Sequence, residues 1–113
     1  MEIKAINRDE LMKLLASGQK VNLVDVREKE HYDEEHMAGA ILMPLHEVRE
    51  KASVMLPNKD EIIVTYCVDI DCPKSAKAAK ILTSLGYKNV FHYPGGIKEY
   101  TDANLPVEKA NDK

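Results

Sequence analysis

Tryptophan is missing from this sequence and phenylalanine occurs once, so aromatics make up only 5% of it. The core must therefore be aliphatic, built from Ile, Leu, Val, Ala and Met. Arginine is scarce. Of the 16 basic residues only Arg8, Arg27 and Arg49 are arginines, which limits bidentate grips on phosphate or carboxylate. A basic excess is also lacking: the net charge is −3 and the pI about 5.8, which argues against a nucleic-acid partner. No apolar run approaches the ~20 residues needed to span a bilayer. The start, Met1-Glu2-Ile3-Lys4, carries no signal-peptide core. A cytoplasmic setting without membrane partners is the expectation. Two cysteines there are read as reactive or inert rather than as a disulfide framework. There is no internal repeat, low-complexity run or linker.

What is present suits one globular domain. The chain has 113 residues, 44% hydrophobic and 31% charged, enough for a single core. Ile3–Ile6 reads as a short strand. Asn7 with Glu10 matches a helix cap and its partner, and Leu11, Leu14 and Leu15 recur at helical spacing until Gly18. Val21–Val26 suits a strand buried on both faces. Glu28–Glu35 is polar and helical, Gly39 breaks it, and Ala40–Met43 is another short strand. Val48, Ala52 and Met55 recur at helical spacing before Pro57. Glu61–Cys67 is the strongest strand signal. A polar loop leads to a helix opened by Ser75, then Val90–Tyr93 is a last strand. Pro94-Gly95-Gly96 turns the chain into a helix over Ile97–Ala103, and Glu108–Lys113 reads as a frayed tail. Strands alternating with helices predict an α/β fold, a mostly parallel sheet with helices on its faces. In such folds ligands sit beyond the carboxyl ends of the strands.

Cys67 occupies that place, after the most apolar strand and before a helix. There a thiol faces unpaired backbone N–H groups and the positive end of the helix dipole, and both favour thiolate. The wrapping loop, Val68-Asp69-Ile70-Asp71-Cys72-Pro73-Lys74-Ser75, adds further N–H donors. From position alone, Cys67 is either such a nucleophile or a small buried hydrophobe.

Five segments bear on that choice: Leu23–Arg27, His36–Ile41, the Tyr66-Cys67 loop running to Ser75-Ala76, Leu85–Val90 and Pro94–Ile97. In order and at this spacing they resemble a single-domain rhodanese, over about residues 5–107. The resemblance implies a three-layer, five-stranded parallel sheet with helices on both faces. It implies that Cys67 carries sulfane sulfur as a persulfide and hands it to a nucleophile. Donors would be a small sulfur compound or a persulfidated protein, and the acceptor a thiol. No organic cofactor or metal is required. On this reading backbone N–H groups of residues 68–75 cradle the terminal sulfur, Lys74 places positive charge near the mouth, and Ser75 caps the following helix. Asp25 and Arg27, after their strand, have a structural role near the site, holding it by an ion pair or by loop hydrogen bonds.

The loop departs from the family pattern. It is two residues longer, has no Gly, and carries Lys74 where the family has Arg. Related phosphatases on this fold end their loop in Arg, so a phosphate cradle is missing. Asp69 and Asp71 matter too. A carboxylate ~6 Å from a thiolate at an effective dielectric of ~20 costs roughly 2.8 kcal/mol, about two pK units. The expectation is that both side chains face water and that thiosulfate, a dianion, is a weak donor. Cys72, five residues after Cys67, is a candidate resolving thiol, provided loop geometry lets the sulfurs meet. The alternative is a non-catalytic or redox-sensing binding module that uses the same pair as a switch. Zinc held by Cys67, Cys72 and a remote His lacks the short Cys spacing usual in zinc motifs. Tyr100, Met37, Met43 and Met55 read as core, and Gly95-Gly96 as a permissive turn.

Overall fold

Parallel pairing follows from the alternation of apolar and amphipathic segments, because each helix must carry the chain back across the sheet. The computed structural model describes residues 3–110. In chain order the elements are β1 (Lys4–Ala5), α1 (Arg8–Ala16), β2 (Val21–Asp25), α2 (Lys29–Glu34), β3 (His36–Met37), β4 (Ile41–Leu42), α3 (Val48–Met55), β5 (Ile62–Tyr66), α4 (Lys74–Ser84), β6 (Asn89–Tyr93), α5 (Gly96–Asp102) and β7 (Val107–Glu108). The main sheet has five strands in the order β1-β6-β5-β2-β4, and every pair in it is parallel. All five carboxyl ends therefore point to one edge. The capping box predicted at Asn7 is formed: its Oδ1 accepts the Glu10 N–H at 2.8 Å, and Glu10 Oε1 accepts the Asn7 N–H at 2.9 Å.

Alternation along the strands divides the core in two. Val24, Ile63, Cys67 and Val90 pack with Val48 and Ala52 of α3 and Ala78, Ala79 and Leu82 of α4. Leu23, Val64, Tyr66 and Tyr93 face the other way, against Leu11 of α1 and Ile97 and Tyr100 of α5. The sheet thus has helices on both faces, as the periodicity predicts. Met37 and Met43 are fully buried, whereas Met55 is 37% exposed at the end of α3 and belongs to neither core.

A second sheet escapes the sequence pattern. β3 and β7 pair antiparallel, His36 opposite Glu108 and Met37 opposite Val107. Strands of two residues have no period to read. The tail is therefore not frayed at Glu108–Ala110. Glu108 Oε1 accepts the Gly39 N–H at 3.0 Å and the Ala110 N–H donates to the Asp33 carbonyl at 3.0 Å. Residues 111–113 lie outside the described residues.

Asp25 and Arg27 are the charged pair of the interior. Asp25 is fully buried and its carboxylate takes Nη2 of Arg27 at 2.8 Å, Nε at 3.0 Å and the Arg27 backbone N–H at 3.0 Å. The guanidinium also donates to the Glu35 carbonyl at 2.6 Å, which ties the end of α2 to β2. Removing one partner of a buried pair strands the other charge, at a cost of about 3–5 kcal/mol. Asp25→Ala is therefore expected to lose about that much stability, a large part of the total for a domain this size. Urea unfolding should show it as a lower midpoint at unchanged slope.

Candidate active site

Cys67 is the first residue past β5, and at 3% exposure its side chain is closed to solvent. A disulfide joins it to Cys72, with a Cα–Cα separation of 6.4 Å, inside the usual range for such bridges. A tight turn brings the two together. Asp69 starts it: its carbonyl accepts the Cys72 N–H at 3.1 Å and its carboxylate accepts the Asp71 N–H at 3.1 Å. Short acidic side chains stabilise turns this way, by bonding backbone two residues on. Asp71 faces water as expected. Asp69 does not simply do so; it is half-buried, with its carboxylate folded onto its own loop.

The loop is held by two further parts of the chain. The Ile97 N–H donates to the Cys67 carbonyl at 3.0 Å, and the Lys98 N–H to the Val68 carbonyl at 2.9 Å. Between them the loop lies directly on Gly96, where a Cβ would come within 2.6 Å of the Val68 carbonyl carbon and oxygen. Gly96 also has φ +69°, which side chains disfavour. Gly95 has φ −60° and needs no such freedom. The buried Thr65 hydroxyl donates to the Ser75 carbonyl at 2.8 Å, pinning the first turn of α4 to β5.

A rhodanese-like domain model matches residues 7–103. The chain belongs to the rhodanese-like domain family. It is 38% identical over 76 residues to thiosulfate sulfurtransferase PspE of Escherichia coli, an alignment covering 67% of this chain and 70% of that one. The fold matches a rhodanese with anions from E. coli at TM-score 0.67 and 36% identity, covering 80% of this chain and 99% of that one. It matches the BH2092 protein of Bacillus halodurans at TM-score 0.82 and 28% identity, covering 95% and 77%. In some other curated relatives the matching stretch is about half of a longer chain or less.

Set in this rhodanese-like frame, the loop residues divide. Lys74 is the first residue of α4, and Pro73 rather than Ser75 stands at the cap, without a side-chain capping bond. Ser75 is instead buried inside the first turn, its hydroxyl 3.3 Å from Nδ1 of His92. Burial lowers the His92 pKa below its ordinary value. The supply of N–H groups is also smaller than residues 68–75 suggest. Asp71 and Cys72 spend theirs on Asp69, and Pro73 has none. Among the described residues the N–H groups of Val68, Asp69 and Ile70 meet no protein acceptor, and the start of α4 adds orphan N–H groups. Asp25 reaches the site only through the sheet, in register with Tyr66, the residue before Cys67.

Val68 and Ile70 project outward, 42% and 70% exposed. Beside them a cleft of about 670 Å³ is lined by Asn7, Arg8, Asp69, Ile70, Lys98 and Glu99 among others. Sequence reading missed Thr65, Ile97 and Lys98 as loop supports, because strand register and the crossing of two loops are invisible in a linear string. Gly96 was found through its dipeptide, though as a turn and not as a seat. Gly96→Ala should displace residues 67–69 and cost about 1–3 kcal/mol. The check is thermal unfolding together with the rate at which the Cys67 thiol of the reduced protein is alkylated, which should change if the loop moves.

Proposed function

We propose that in its dithiol state this chain is a sulfurtransferase. The Cys67 thiolate attacks the sulfane sulfur of a donor. It keeps that sulfur as a persulfide and passes it to a thiol or another nucleophile. The observation that carries this reading is the position of Cys67. It stands at the carboxyl end of the central strand, at the start of a loop seated on Gly96 that leads into α4. A negative sulfur there gains from orphan N–H groups and the helix dipole. The match to the rhodanese-like family and to a thiosulfate sulfurtransferase supports the same chemistry. With thiosulfate the balance is simple: the sulfane sulfur joins Cys67 and sulfite leaves with the electron pair of the broken S–S bond.

The acidic loop sets the donor. Asp69 and Asp71 stand two and four residues after Cys67, with Asp69 half-buried against the loop. Lys74 is the one basic residue between Cys67 and Ser75. A dianion meets more repulsion here than a monoanionic or protein-borne persulfide does. Thiosulfate is therefore proposed as a weak donor, and a persulfide as the better one. The disulfide also favours a second reading, a non-catalytic redox-sensing module that binds a partner near exposed Val68 and Ile70.

Intact mass separates the two. The Cys72→Ser variant incubated with a sulfur donor should gain about 32 Da, one sulfur, and a variant that also carries Cys67→Ser should not. No adduct on Cys72→Ser from any donor, with the wild-type disulfide closing without release of sulfide, would favour the sensor. The D69N/D71N double variant keeps the turn but removes both charges. It should raise kcat/KM for thiosulfate several-fold, and by less for a persulfide donor. The gain should shrink in high salt, because screening already weakens the repulsion.

A further inference from the structure

The disulfide shows more than proximity. Sγ of Cys72 meets Sγ of Cys67 itself, the inner sulfur of any persulfide formed there. An acceptor that carries sulfur away must instead attack the outer sulfur. From this we infer that Cys72 is a resolving thiol that makes the chain a sulfide-releasing, sulfane-sulfur-reducing enzyme. The inference rests on the persulfide proposed above and assigns its fate.

The step balances without an added oxidant. Cys72 attacks the inner sulfur of the Cys67 persulfide anion. The Cys67–Cys72 bond forms as the bond between inner and outer sulfur breaks. The outer sulfur leaves as hydrosulfide, taking the electron pair and the proton of Cys72. The outer sulfur is reduced and the Cys72 sulfur oxidised.

Three features favour this route. The turn begun by Asp69 holds Cys72 over Cys67, with backbone and side-chain bonds at 3.1 Å each. Two groups in one short loop meet at an effective concentration on the order of millimolar or above, without diffusion. Hydrosulfide is also a better leaving group than an alkyl thiolate, and lower leaving-group pKa speeds exchange.

The burial difference then sets how the enzyme resets. Cys67 is 3% exposed in the disulfide, whereas Cys72 is half-buried. An incoming thiolate reaches the Cys72 sulfur first, so Cys67 leaves as the thiolate, ready for the next donor. A dithiol reductant completes the cycle: its second thiol displaces Cys72 and it departs as a disulfide. Per turnover, one sulfane sulfur and two reductant thiols give one hydrosulfide and one reductant disulfide.

The test uses the full chain, reduced and freed of thiols under anaerobic conditions, with one equivalent of thiosulfate, whose leaving group is sulfite and not a thiol. Wild type should release about one sulfide per chain without added thiol and end about 2 Da below its reduced mass. Cys72→Ser should hold the adduct of about 32 Da and release less than a tenth as much sulfide. Cys72→Ala should do the same, which guards against a poorly folded first variant. A lasting adduct on wild type with an alkylatable Cys72 would overturn this inference alone. So would equal sulfide release from wild type and both variants. Wild type and variants that all refuse sulfur would overturn the transfer reading, and this inference with it.

Discussion

One backbone can lie flat on another only where no side chain stands between them. Gly96 opens that gap beneath Val68 and Asp69, and the N–H groups of Ile97 and Lys98 use it to hold the carbonyls of Cys67 and Val68. The rest of the site depends on this contact. It fixes where the strand ends and the loop begins, so it fixes the direction in which Cys67 points. It also leaves the turn from Asp69 to Cys72 free to fold back over the sulfur. The far end of the excursion is closed by Thr65, whose hydroxyl holds the Ser75 carbonyl. The loop is thus clamped at both feet and variable between them, which is how its extra length is accommodated without disturbing the sheet.

Electrostatics at the loop work in two directions. Orphan N–H groups at the start of α4 favour an anionic sulfur, while Asp69 and Asp71 oppose it. Lys74 at the first helical position opposes the dipole by about 0.3–1 kcal/mol unless an anion sits nearby. The balance suits a sulfur that carries negative charge briefly and exchanges it, rather than a pocket built to concentrate dianions. It also explains why Asp69 bonds the loop rather than stretching outward: one of its acceptor oxygens is occupied by the Asp71 N–H.

The buried Asp25–Arg27 pair serves the same site from behind. β2 runs beside β5, with Asp25 in register with Tyr66. The Arg27 guanidinium reaches onward to the end of α2, and the Tyr66 hydroxyl accepts the Met37 N–H from β3 at 3.0 Å. The residue before Cys67 is thereby locked between a buried charge pair and a second small sheet. Nothing in this arrangement touches the sulfur; it makes the strand end rigid.

By itself the sequence determined the order of strands and helices and the two-sided burial of the sheet. Periodicity and caps are local, and Val21–Val26, Glu61–Cys67 and the Asn7–Glu10 box state them within a few residues. It also marked Cys67 and Cys72 as a pair worth weighing. Only the tertiary structure decided that the sulfurs meet, because that depends on a turn nested in a loop whose path is set by a distant glycine. It moved the helix cap from Ser75 to Pro73 and put the Ser75 hydroxyl beside His92, a partner on another strand. It also drew Glu108 into a sheet with His36. Each of these rests on contacts between residues far apart in the chain, and no pattern along the chain encodes which of them will touch.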